Sequence, residues 1–166
     1  MYFIRLFYTY ILRTEPPYYT YYSPWLVFWK PLRKFINVVI IPSLPFNTLR
    51  VFLYRAIGYK IGKNVFIGMK CYLDDMDPSL TSIGDNVTIS YGCYFACHGK
   101  HQSHTPIVIE RGAYLGMRCS VISGKNGLII GENSIIGAGS LVLQSIPPGS
   151  SAYGVPAKVA AGSDPL

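Results

Sequence analysis

Glycine is missing from the first 57 residues, and acid nearly so: Glu15 is the one carboxylate among residues 1–63, against nine Lys and Arg. Charge is sparse throughout, at 14% of residues with 50% apolar, which excludes a charged disordered tail and a coiled coil. No run of about 20 apolar residues occurs, the length a spanning helix needs, because Pro24, Lys30, Pro31, Pro42 and Pro45 interrupt each candidate. The start, MYFIRLFYTYILR, lacks the Lys-rich opening and small-residue cleavage site of a secretory signal. Cys71, Cys93, Cys97 and Cys119 form no CxxC pair, so a reducing, cytoplasmic setting is the default expectation.

What is present divides near residue 60. All 16 glycines fall at Gly58 or later, and 17 of the 24 aromatics fall at or before Tyr59. Residues 1–63 carry a formal +8 and residues 64–166 a formal −1. A chain of 166 residues holds one ordinary domain and an appendage. The expected organisation is an aromatic, basic, partly helical segment over 1–57, a domain over 58–160 and a tail over 161–166. In PWLVFWKPLRKFINVVI the cations are interleaved with bulky apolar rings, which suits a lipid headgroup layer better than nucleic acid. No nucleic-acid partner is expected. The same composition also serves packing against the rest of the protein or a neighbouring subunit.

From residue 61 the chain cuts into six-residue units that open on a large apolar side chain, often followed by Gly: IGKNVF, IGMKCY, LDDMDP; IGDNVT, ISYGCY, FACHGK; IERGAY, LGMRCS, VISGKN; IGENSI, IGAGSL, VLQSIP. Four residues after most openers stands a small or β-branched side chain: Val65, Cys71, Val87, Cys93, Ala113, Cys119, Ser134, Ser140. This spacing predicts a coil of three short strands closing a triangular prism, with opener and small residue pointing inward and stacked about 4.8 Å apart. Cys71, Cys93 and Cys119 then read as packing residues. Gly after the opener is expected to supply backbone freedom at the corners. Coil starts at 61, 83, 109 and 130 leave excesses of four, eight and three residues over 18, all after the third opener. Insertions stacked at one corner build a site without disturbing a repeat core. Ahead of the prism, FNTLRVFLYRAIG predicts a helix capped by Asn47, with apolar residues at Leu49, Phe52, Leu53 and Ala56 and Gly58 at its end. LVFWKPLRKFINVVI predicts a second amphipathic stretch with Pro31 near its start or at a kink.

Repeated Ile-Gly-x-x-small-x units ending in IGAGSLVLQSIPPGSSAYGVPAKV closely resemble the hexapeptide-repeat acyltransferase family over roughly Gly58–Val159. The resemblance implies a mainly β fold, a left-handed parallel β-helix, usually assembled as a homotrimer and using acetyl-CoA or another acyl-CoA as donor. Moving an acetyl group from a thioester to an alcohol needs a base for the hydroxyl proton and donors for the tetrahedral oxyanion. All three histidines, His98, His101 and His104, lie in the longest insertion, and imidazole suits the base's task. By resemblance His98, three residues after the opener Phe95, is the base, with His101 and His104 assisting substrate binding. Asp75, and after it Asp74, is expected to contact acceptor hydroxyls or orient the histidine, unless both are simply solvated acids on an insertion. The resemblance also places the donor along the later coils between subunits. There Gly116, Met117, Ala138 and Gly139 would meet the pantetheine arm, Tyr114 would flank the cofactor, and Lys158 with Arg118 would approach its phosphates. Leu143-Gln144 stands where relatives often have Thr-Lys, removing one basic contact.

A sugar or lipid-linked saccharide is the expected acceptor, with residues 1–57 touching the inner face of the membrane. An amino-sugar N-acyltransferase and a non-catalytic or metal-binding scaffold are the alternatives. HGKHQSH spaces imidazoles by three, but γ-type carbonic anhydrases draw zinc ligands from different coils, so no metal is expected. Cys97 beside His98 points to the opposite face of an extended chain, which disfavours a nucleophile–base pair.

Overall fold

The computed structural model describes residues 2–16, 24–98 and 104–160. The chain separates into two units, Met1–Ile36 and Asn37–Leu166. In the first, α1 (Tyr2–Leu6) continues as a π-helical stretch, Phe7–Leu12, and α2 (Pro24–Phe35) contains Pro31 within it. Trp25 and Trp29, one turn apart on α2, stack with ring centroids at 6.2 Å and both are exposed. A further π-helical turn (Ile36–Ile40) leads to α3 (Ile41–Ser43) and α4 (Asn47–Ala56) in the second unit.

Twelve strands of the second unit stack as coils. They are β1 (Lys60–Ile61), β2 (Phe66–Ile67), β3 (Thr81–Ile83), β4 (Thr88–Ile89), β5 (Tyr94–Ala96), β6 (Ile107–Ile109), β7 (Tyr114–Leu115), β8 (Ser120–Ile122), β9 (Leu128–Ile130), β10 (Ile135–Ile136), β11 (Leu141–Val142) and β12 (Ser151–Gly154). β13 (Ala157–Val159) turns back antiparallel on β12. Three sheets result, ordered β1-β3-β6-β9, β2-β4-β7-β10-β12-β13 and β5-β8-β11, and every other pairing is parallel. This is the parallel β-helix expected from the repeat.

The register matches the repeat unit for unit. Ile61 pairs with Ile83, Ile83 with Ile109 and Ile109 with Ile130 on one side. Ile67, Ile89, Leu115 and Ile136 align on the second, and Phe95, Val121 and Val142 on the third. Cys71, Cys93 and Cys119 are buried in one column, and their thiols donate to main-chain carbonyls: Cys71 to Ser90 at 3.1 Å, Cys93 to Gly116 at 3.2 Å and Cys119 to Gly116 at 2.9 Å.

The glycine after each opener has a different reason from the one expected. The left-handed corner conformation falls on the fourth residue of the unit, at Asn64, Lys70, Asn86, Arg118 and Asn133 with φ of 52–58°, and at Gly92, Gly112 and Gly139. Where the second position is glycine, as at Gly68 and Gly116, the next coil passes too close for a side chain. A Cβ on Gly68 would stand 2.6 Å from the Tyr91 nitrogen, and one on Gly116 would stand 2.6 Å from the Ala138 nitrogen.

α4 also departs from expectation. Its N-cap is Phe46, with no side-chain cap, and the face it buries is Arg50, Val51 and Tyr54, while Leu49, Phe52 and Ala56 are exposed. The first coil has no coil before it, so its outward carbonyls need partners from elsewhere. α4 supplies them. Asn47, expected as a cap, donates to Val65 O and accepts from Ile67 N. Arg50 donates twice to Ile67 O, and Arg55 reaches Ile61 O and Gly62 O. Polar residues therefore face inward because the surface they cover is polar. The same anchoring goes with α4 belonging to the second unit, which begins at Asn37.

Gly68→Ala is expected to cost about 2 kcal/mol by forcing two backbones apart. Gly124→Ala, where a Cβ meets nothing within 4 Å, is expected to stay within about 0.5 kcal/mol. Paired thermal or urea melts measure both.

Candidate active site

β5 delivers His98. Phe95 and Cys97 are buried while His98 sits half-exposed at the strand's continuation, where alternation turns it outward. The chain is pinned on both sides of the insertion: Thr105 N donates to Cys97 O at 2.8 Å, and His98 bridges His104 in antiparallel fashion. Thr105 Oγ1 also lies 2.8 Å from Ser123 Oγ and donates to Gly124 O at 2.7 Å, tying the insertion to the next coil.

One coil earlier, just past Leu73, the side chain of Asp74 lies under this strand. Its Oδ2 stands 2.6 Å from His98 Nδ1 and accepts the Cys97 N–H at 2.6 Å, and its Oδ1 accepts the Met76 N–H at 3.0 Å. Asp74 is fully buried, whereas the His98 side chain is 36% exposed. Three donors around a buried carboxylate supply the compensation that burial requires. A carboxylate oxygen only accepts, so the neutral imidazole carries its proton on Nδ1 and leaves the Nε2 lone pair free. A general base with an orienting partner requires this geometry.

Of the two adjacent acids, Asp74 is the one that lies against His98. Asp75, preferred from sequence, accepts the Tyr72 hydroxyl on Oδ1 at 2.7 Å. Burial first, then Asp75, pushes the Tyr72 phenol up, so it remains a donor. Tyr72 in turn stacks on Tyr94 at 4.6 Å. Sequence could not separate adjacent carboxylates, because which one turns under β5 depends on the path of the insertion after Leu73. Cys97 is 1% exposed, its sulfur lies 3.4 Å from Thr81 Oγ1, and burial pushes its thiol up, which disfavours a thiolate nucleophile. His104 is exposed, and His101 lies outside the described residues. Among the described residues no group of three His, Cys, Asp or Glu is disposed to hold a metal ion.

A separate cavity of about 620 Å³ runs along the β7–β10 side of the prism. Tyr114, Gly116, Met117 and Ala138 line it, as do Asn133, Ile135 and Gly137, which the sequence reading did not single out. Ile135 was legible as the register partner of Tyr114. Arg118 and Gly139 are exposed corner residues, and Lys158 stands on β13 opposite Tyr153; none of the three lines the cavity. No residue bonded to the Asp74–His98 pair lines it either.

Comparison with known proteins agrees with the repeat. The family described as the hexapeptide repeat of succinyl-transferase matches residues 59–95 and 106–144. A Staphylococcus aureus protein carrying an acetyltransferase name is 40% identical over 125 residues, 70% of this chain and 59% of its own. The galactoside O-acetyltransferase of Escherichia coli is 33% identical over 117 residues, 62% of this chain and 56% of its own. The chain thus spans somewhat over half the length of these relatives. Among solved structures, a hexapeptide-repeat-containing acetyltransferase from Vibrio cholerae, complexed with acetyl-CoA, superposes with a TM-score of 0.66 at 23% identity, covering 82% of this chain and 88% of that one. The chain belongs to the hexapeptide-repeat family.

All four cysteines are buried, so the native protein is expected to leave a bulky disulfide reagent such as Ellman's unreacted and to titrate fully only after denaturation. Fast reaction of a single thiol in the folded state would contradict the packing role.

Proposed function

We propose that the chain is an O-acetyltransferase that moves an acetyl group from acetyl-CoA to a hydroxyl of a sugar or lipid-linked saccharide, by direct transfer with His98 as general base. The observation that carries this reading is the Asp74–His98 pair, with Nδ1 held on a buried carboxylate and Nε2 left free at a half-exposed surface. In the proposed step Nε2 takes the acceptor's hydroxyl proton as its oxygen attacks the thioester carbon. The C–S bond breaks, the thiolate leaves as CoA, and the imidazolium returns the proton to sulfur. Asp74 stabilises the imidazolium in between, as an oriented carboxylate does in hydrolytic triads.

The donor is assigned to the cavity. Tyr114 and the small residues Gly116, Gly137 and Ala138 would flank the pantetheine arm, with Arg118 and Lys158 toward the CoA phosphates beyond it. Acetyl-CoA bound in the Vibrio cholerae protein and the galactoside acceptor in the Escherichia coli enzyme's name support donor and acceptor class respectively. Because the cavity shares no residue with the His98 environment, the reading includes a homotrimer, in which one subunit's cavity faces the His98 of the next. His101 and His104 would border the acceptor.

The reading also includes peripheral contact of residues 1–57 with the inner face of the membrane. It is supported by the exposed Trp25–Trp29 stack and by the excess of cations in that segment. No helix among the described residues is long and apolar enough to cross a membrane.

The test follows CoA release from acetyl-CoA with a panel of sugars. Acceptor-dependent turnover that falls by about 100-fold or more in His98→Ala is expected; undiminished turnover in that variant would remove His98 from the role. Flotation with vesicles containing anionic lipid is expected to carry the full chain but not a Trp25→Ala, Trp29→Ala double variant, and equal flotation of the two would overturn the membrane contact.

A further inference from the structure

The Asp74–His98 pair is itself held from behind. The Tyr59 hydroxyl stands 2.8 Å from Asp74 O and 3.0 Å from Leu73 O, and Asn37 Nδ2 donates to Leu73 O at 2.7 Å. Asn37, Tyr59 and Asp74 are 1%, 3% and 0% exposed. Tyr59 has one proton to give. With Leu73 O already served by Asn37, that proton goes to the nearer carbonyl, that of Asp74. Burial pushes the Tyr59 phenol up, so it stays protonated and remains a donor. Two side chains from outside the coil thus grip successive carbonyls at the point where the chain turns Asp74 under β5.

The segment that carries Asn37 is built at some cost to do this. Ile36–Ile40 is a π-helical turn, in which the extra residue per turn re-aims side chains and which recurs at functional sites. It buries Asn37 and leaves Val38, Val39 and Ile40 exposed, at 38%, 48% and 39%. Asn37 Oδ1 is buried without a hydrogen-bond partner, a burden of about 1–3 kcal/mol that an apolar residue would avoid. A chain that hides an amide with an unsatisfied oxygen and shows three aliphatic side chains to solvent is organised around the amide's donor.

We propose that Tyr59 and Asn37 are positioning residues for the reaction: they fix the main chain at Leu73–Asp74 so that the Asp74 carboxylate holds His98 in the Nδ1–H tautomer. The inference rests on the acetyl-transfer reading for its kinetic consequence, but its structural half stands apart from it. The rival account is that both residues only cap the open carbonyls of the first coil, as Tyr54 does in reaching Cys71 O at 3.4 Å. Tyr54 packs edge-on against Tyr59 with centroids 5.5 Å apart, which makes it a matched control.

The experiment compares the full-length wild type with Tyr59→Phe, Asn37→Leu and Tyr54→Phe. It measures kcat and KM for both substrates, thermal melting, and the imidazole nitrogen NMR signals of His98, assigned by their loss in His98→Ala. Tyr59→Phe and Asn37→Leu are expected to lower kcat about ten-fold or more, since small misplacements of catalytic groups cost rate steeply. KM should be unchanged, and the nitrogen signals should move from the Nδ1–H tautomer toward a mixture. Tyr54→Phe should change neither kcat nor tautomer. A tautomer that stays intact in both Tyr59→Phe and Asn37→Leu would overturn the proposal, and so would an equal loss of kcat in all three variants. If the wild type releases no CoA with any acceptor, the acetyl-transfer reading fails, and the nitrogen signals alone decide whether the clamp holds.

Discussion

The close contact between successive coils at the glycines that follow the unit openers constrains the rest of the structure. Where Gly68 passes Tyr91 and Gly116 passes Ala138, no Cβ fits, so the backbones meet at a single spacing and the strands lock in one register. A slip of one residue would turn every inward opener to solvent. The site inherits this rigidity. Phe95 pairs with Val121, and Tyr72 bridges Tyr94. That pairing places the turn after Leu73 directly against the strand that carries Cys97 and His98, so Asp74 needs no long or mobile connection to reach its partner.

The ends of a solenoid pose the opposite difficulty, because the first coil has no neighbour to satisfy its carbonyls. α4 and the π-helical turn meet it with polar side chains, and this explains a helix that buries Arg50 and Tyr54 while exposing Leu49 and Phe52. Capping and chemistry converge on the first coil, since the carbonyl gripped by Tyr59 belongs to the residue whose carboxylate orients His98. The N-terminal cap thereby reaches the candidate base through two hydrogen-bonded residues.

Much of this was legible in the sequence, for a definite reason. Opener and small positions recur with the geometry of the prism, so inward columns, register and the corner that carries insertions could be read from spacing alone. The histidines concentrate in the longest insertion, which marked the candidate site. What could not be read depends on contacts between residues distant in sequence. The choice of Asp74 over Asp75 follows from how a turn crosses the next coil, and the polar face of α4 follows from the unpaired edge beneath it. The unit glycines were recognised by position but not by cause, because a close approach across 20-odd residues leaves no local signature. Arg118, Gly139 and Lys158 stand outside the cavity lining.

The central claim is that Asp74 and His98 act as one unit. A double-mutant cycle on acetyl transfer tests it most directly, with Asp74→Asn made in the wild type and in His98→Ala. Asn keeps the shape but offers an amide in place of the carboxylate. The account predicts that Asp74→Asn alone lowers kcat by about 100-fold or more and that the same change lowers it no further once His98 is gone. Losses that simply multiply in the double variant would show that the two residues act separately, and would contradict the account.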